Sequence, residues 1–186
     1  MDVAVVYESE FGNTRVIAEA VADGVREAAL DTRVAVLRVG EATPDKIGEA
    51  ALVVVGGPTH MLGMSKASSR QKALEVLEKA SAEGRDDVKG EPGIEGPGVR
   101  EWLDALPGQP RGHKAAAFDA RLPFPLSGGA SRSIARGLRR HGYDVVAKPA
   151  GFVVEGVEGP LRGGESDRAK AWGAGLARHL AAESAR

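Results

Sequence analysis

The chain of 186 residues has no cysteine. That rules out a disulfide framework, a thiolate metal site, iron–sulfur ligation and a cysteine nucleophile. Aromatic residues make up only 4%, so few side chains are available to stack on a flat ligand. Charge of either sign is not in excess: the net charge is −1 and the pI near 6.4. A nucleic-acid footprint is therefore unsupported, and long-range electrostatic steering of a partner should be weak. No apolar run approaches membrane-spanning length. The first apolar strand starts at residue 2 or 3, so we expect no signal peptide and a cytoplasmic location. His113, His141 and His179 lie far apart on different elements, which argues against a metal triad. Ser9 lacks Gly-x-Ser-x-Gly spacing and has no evident base, which argues against a serine hydrolase.

What is present suits one α/β domain over residues 1–186, with 42% apolar and 27% charged residues. Residues 3–7 read as a buried strand. Residues 13–29 read as a helix, with Ile17, Ala20, Val21, Gly24 and Val25 on one face. Residues 33–39 alternate as a strand, and 43–48 suggest a short helix. The apolar run 51–55, ending in Gly56-Gly57-Pro58, reads as a central parallel strand. Helical spacing follows over 65–84, then a Gly/Pro/charge-rich stretch over 84–98; the segment from 65 to 98 is expected to be an insertion or partly mobile. A short helix at 99–106, a strand at 114–118, a helix at 130–141, strand material at 143–147 and 151–155, and a last helix at 166–182 complete the chain. Strands alternating with helices predict a doubly wound five-stranded parallel sheet with helices on both faces. Short right-handed connections favour the order 2-1-3-4-5. In that order a ligand sits at the carboxyl ends of the first, third and fourth strands.

The most informative stretch leads out of the first strand: Ser9-Glu10-Phe11-Gly12-Asn13-Thr14. Gly12 permits a sharp turn, Ser9, Asn13 and Thr14 carry donors, and the next helix presents unpaired N–H groups at the positive end of its dipole. Such an arrangement holds a phosphate through neutral groups. No Gly-Lys-Ser/Thr follows, so it is not a Walker loop, and one glycine does not make a dinucleotide fingerprint. The loop resembles the phosphate loop of the flavodoxin-like family, in which a Ser/Thr-rich turn ending Gly-Asn-Thr wraps the phosphate of flavin mononucleotide (FMN). Ser9, Gly12, Asn13 and Thr14 carry the match. Phe11 departs from it, because many flavodoxins have a hydroxyl there; an aromatic is more similar to the flavodoxin modules of larger oxidoreductases and quinone reductases. The order 2-1-3-4-5 is itself flavodoxin-like. The whole also resembles flavodoxin-domain proteins of high-GC bacteria.

After the third strand, Gly56-Gly57-Pro58-Thr59-His60-Met61-Leu62-Gly63 resembles the loop that flanks the flavin ring in this family. The resemblance implies contacts to the ring from Pro58, Thr59, His60, Met61 and Gly63. Shuttle flavodoxins often stack a Trp or Tyr from this loop, whereas this chain offers His60 and Met61. The loop after the fourth strand contains Asp119, Arg121 and Phe124. Phe124 is its one candidate for ring stacking. Arg121 can reach the N1–C2=O edge of the flavin, where it would stabilise the reduced anion, or else pair with Asp119 or stay solvated.

The resemblance implies an FMN-binding redox protein that passes electrons to a protein or a quinone-like acceptor. FMN would carry the chemistry, so no catalytic side chain and no metal are expected. Two alternatives stand beside it: an NAD(P)H:quinone oxidoreductase enzyme, and a flavodoxin-fold binding or regulatory module without a competent flavin site. The expected partners are a redox protein, or NAD(P)H with a quinone-like small molecule; resemblance to quinone reductases also allows a homodimer. Arg132, Arg136, Arg139 and Arg140 read as a solvated basic helix face. The turn 159–165 before the last helix reads as structural.

Overall fold

The computed structural model describes residues 2–60, 63–85, 88–108, 112–124 and 129–185. The first strand, β1 (Asp2–Tyr7), pairs in parallel with β2 (Arg33–Arg38) on one side and β3 (Leu52–His60) on the other. The strand β5 (Lys114–Arg121) lies beyond β3, also parallel. The fifth position is shared by two short pieces, β6 (Asp144–Val145) and β7 (Ala150–Val153), both parallel to β5. The resulting order, β2-β1-β3-β5-β6, is 2-1-3-4-5 once the split fifth strand counts as one.

Side chains alternate across this sheet because successive residues of a strand point to opposite faces. Val3, Val5 and Tyr7 of β1 join the cluster made with helices α1 (Asn13–Ala28) and α6 (Glu165–Ser184), while Ala4 and Val6 join the opposite cluster. The second cluster is covered by α2 (Pro44–Ile47), α4 (Val99–Ala105) and α5 (Ala130–Arg140), with Trp102, Leu103, Ile134 and Leu138 inward. Helices therefore cover both faces, and the expected inward residues Ile17, Ala20, Val21 and Val25 are buried. Each fully buried valine contributes roughly 1.5–3 kcal/mol of transfer free energy.

Two glycines set how closely α1 and α6 cross. A Cβ on Gly24 would lie 1.9 Å from the Lys170 carbonyl oxygen, and one on Gly173 would lie 2.1 Å from that of Val21. The backbones touch, which no residue with a side chain would permit.

The elements differ from the sequence expectations in two places that matter for the site. The third strand runs on to His60 instead of ending near residue 55, because Gly56, Gly57 and Pro58 continue to pair with Phe118, Asp119 and Ala120 of β5. The short β4 (Gly63–Met64) then turns back on it, pairing Met64 with Thr59 and Gly63 with His60. Likewise Asp119 and Arg121 belong to β5 and not to the loop after it. The helix α3 (Ala67–Ala82) occupies the predicted 65–84 stretch.

Candidate functional site

The carboxyl ends of β1, β3 and β5 converge where strand order reverses, the usual ligand position in such sheets. A cleft of about 160 Å3 opens there, and its wall includes Asn13, Thr14, Thr59, His60 and Arg121.

Its floor is the turn from β1 into α1. Gly12 has φ of 87°, a left-handed conformation that costs other residues strain. The Gly12 N–H donates to Ser9 Oγ at 3.1 Å, so the serine shapes the turn and still has its own proton to give. The first intrahelical bond runs from Val16 N–H to the Gly12 carbonyl. The N–H groups of Asn13, Thr14 and Arg15 consequently have no acceptor within the helix. Thr14 is buried, and Asn13 and Thr14 both border the cleft.

A second wall comes from the end of β3. Thr59 Oγ1 accepts the Ala130 N–H at 3.0 Å, which ties this strand to the first turn of α5. His60 Nε2 lies 2.9 Å from Glu10 Oε1, and Glu10 is only 4% exposed. Burial opposes protonation of His60, but the adjoining Glu10 carboxylate outweighs it and raises the pKa above the ordinary histidine value. Glu10 is the carboxylate of this turn that borders the cleft, where it disfavours an anion, and a protonated His60 offsets it.

The third wall is largely apolar. Pro58, Ala120, Leu122, Val154 and Val157 line it, and Phe11 sits at its edge. Arg121 borders the cleft, and its Nε lies 2.6 Å from Asp119 Oδ1. Asp119 is fully buried beneath the wall, where its other oxygen accepts the Ser131 N–H at 2.8 Å. Of the arrangements open for Arg121, the structure shows the pair with Asp119, and the guanidinium still borders the cleft. Phe124 is 63% exposed and does not border the cleft. Gly63 faces a neighbouring cavity, and Met61 lies outside the described residues.

Two groups of residues at the site carried no functional signal in the sequence. Val154 and Val157 belong to the chain leaving β7, and the turn that follows presses on the start of α1: a Cβ on Gly159 would sit 2.6 Å from Asn13 Oδ1. The Gly-rich spacing of 159–164 hinted at a specific turn but not at what it would touch. Behind the loop, Glu91 N–H donates to the Glu10 carbonyl at 2.9 Å, while its carboxylate meets Arg15 at 2.9 Å and Arg38 at 3.9 Å. Glu8 lies deeper, accepting hydrogen bonds from the Ser65 hydroxyl and from the Val99 N–H at 2.8 Å, with Arg70 at 3.8 Å. Burial raises the pKa of Glu8 despite those partners.

The donor set fits FMN. Free N–H groups, the Asn13 amide and the Thr14 hydroxyl suit a phosphate, and aliphatic walls suit a flat ring.

The comparisons agree with this geometry. The family model for Flavodoxin matches residues 5–90, and no curated protein sequence matches. Among solved structures, a flavodoxin from the domain Archaea is 22% identical with a TM-score of 0.63, covering 97% of this chain and 99% of that one. Flavodoxin 1 from Bacillus cereus is 16% identical with a TM-score of 0.61, covering 96% and 99%. A flavodoxin, WrbA-like protein from Agrobacterium tumefaciens is 18% identical with a TM-score of 0.53, covering 96% of each chain. A sequence match over residues 5–90 takes in the turn from β1 into α1, and the fold is shared with flavodoxins along nearly the whole length; in both respects the chain is similar to the flavodoxin-like family, and the cofactor this likeness implies is FMN.

Proposed function

We propose that the protein is an FMN-dependent redox protein that passes electrons to a protein or a quinone-like acceptor. The observation that carries this reading is the meeting of the α1 N-terminus, with Asn13 and Thr14, and an aliphatic cleft at the ends of β1, β3 and β5. Bound FMN supplies the electron transfer itself. Ser9, Gly12, Asn13 and Thr14 hold its phosphate. Pro58, Thr59, His60, Leu122, Val154 and Val157 enclose its ring and exclude water. Asp119 acts through Arg121, Gly63 borders the neighbouring cavity, and Met61 remains a proposed contact of the ring. Arg121, paired to Asp119, brings a positive edge to the cleft without leaving a net charge there.

The near-neutral net charge favours small-molecule or apolar docking over steering by a strongly charged partner, so the NAD(P)H:quinone oxidoreductase reading stands second. No helix among the described residues is long and apolar enough to cross a membrane, and a cytoplasmic location belongs to the proposal.

The test is an FMN titration of the purified protein, followed by flavin fluorescence. Quenching at micromolar FMN, with little for riboflavin, is the expected result, since riboflavin lacks the phosphate. Absence of binding would leave a flavodoxin fold acting as a binding module.

A further inference from the structure

A second cavity, about 500 Å3, opens against the cleft and shares His60 with it. That volume lies in the range of small-molecule sites. Its wall carries Lys66, Lys72 and Arg100 beside Met64 and Ser68, and among the described residues no acidic one lines it. Several described cations elsewhere have carboxylate partners, among them Arg15, Arg33, Arg70, Arg162, Arg168, Lys114 and Lys170, whereas the solvated α5 face of Arg132, Arg136, Arg139 and Arg140 does not line this cavity. Around this cavity, by contrast, none of the three cations has a carboxylate within 4.0 Å among the described residues.

Arg100 is also held in place. Its Nε donates to the Ser65 carbonyl and its Nη2 to the Met64 carbonyl, each at 3.1 Å. Those carbonyls belong to β4 and the residue after it, so the guanidinium is fixed relative to the strand that leads back to His60. A pre-positioned cation loses little freedom when it binds an anion. Two lysine ammonium groups add mobile point charges, a combination that suits phosphate oxygens.

We infer that this cavity binds the phosphate groups of a nucleotide electron donor, whose other end reaches the flavin cleft past His60. The inference rests on the redox reading for the donor's role. The phosphate site itself stands on Lys66, Lys72 and Arg100 alone.

Calorimetric titration of the FMN-loaded protein with 2′,5′-ADP and with inorganic pyrophosphate tests it, since FMN then fills the phosphate loop. We expect 2′,5′-ADP to bind more tightly than pyrophosphate. The Lys66→Gln/Lys72→Gln double variant, altered at two exposed positions, should weaken 2′,5′-ADP about tenfold or more while FMN affinity stays unchanged. Equal affinity for the two probes would overturn the nucleotide assignment. No binding, or undiminished binding by the double variant, would overturn the site. If FMN itself fails to bind, the redox reading falls separately. The same titrations on the FMN-free protein still decide the cavity, because its binding should respond to Lys66 and Lys72 and not to Thr14→Val.

Discussion

The two ends of α1 are built on opposite principles. Toward its C-terminus, α1 packs on α6 through Val21, Gly24 and Val25 against Ala169, Leu176 and Ala177, with backbone in contact with backbone. At its N-terminus it meets a buried seam of charge: Glu8, Glu10, His60, Arg70 and Glu91 within the same layer of the molecule. The apolar end gains from every group it removes from water. The charged seam loses solvation with every group it buries, and recovers it only where partners are in place. Stability is concentrated in the first region, while the second places charge beside the cleft at a cost the first must cover.

The largest expected effect breaks the apolar end. Gly173→Val forces a side chain into the Val21 carbonyl and should cost about 3 kcal/mol. For a chain of this size that is a fall of about 6–12 °C in Tm, with the FMN affinity of the remaining folded protein unchanged. Loss of affinity in step with stability would mean that the two regions are not independent.

Thr14→Val makes the converse change. It removes one hydroxyl from the phosphate loop and should weaken FMN about ten- to a hundredfold. Tm of the FMN-free protein should barely move. A variant that bound FMN normally would remove Thr14 from the site.

Glu8 sharpens the contrast through pH. Its pKa is raised above the usual 4.5 on folding, so between the two values the folded state holds more protons than the unfolded one. Stability should therefore fall as pH rises from about the ordinary carboxylate value through the raised one. Denaturant unfolding of Glu8→Gln across that window should lack the slope, and an unchanged slope would assign it to another group.

His60 should give the smallest effect, no more than about 1 kcal/mol. Its pKa is raised above 6.5 on folding. The stability it contributes is present below 6.5 and is lost as pH rises through the raised value. His60→Gln should flatten the unfolding profile as pH rises from 6.5. FMN affinity should show the same trend, because the uncompensated Glu10 carboxylate then faces the phosphate.

Much of this was legible in the residues themselves. The alternation Val3-Ala4-Val5-Val6 and the spacing of Ile17, Val21 and Val25 report local periodicity, which burial on two sheet faces enforces. The loop Ser9 to Thr14 was legible because its glycine, donors and following helix are contiguous. The reach of β3 to His60 was not, since Gly56-Gly57-Pro58 reads as a strand stop and only the pairing with β5 keeps those residues extended. Nor was the approach of Gly159 to Asn13, or of Glu91 to Glu10 and Arg15, because contacts across such separations have no local signature.

Periodicity and turn chemistry by themselves therefore determined the main alternation of strands and helices, the doubly wound sheet and the glycine turn into α1, since each depends on residues a few positions apart. Tertiary structure alone decided which charges meet. It put Arg121 on Asp119, set His60 against Glu10, and brought Lys66, Lys72 and Arg100 together with no carboxylate within 4.0 Å among the described residues. The physical reason is that an ion pair depends on distances of a few ångströms between side chains from different elements, and those distances exist only after the sheet and helices have packed.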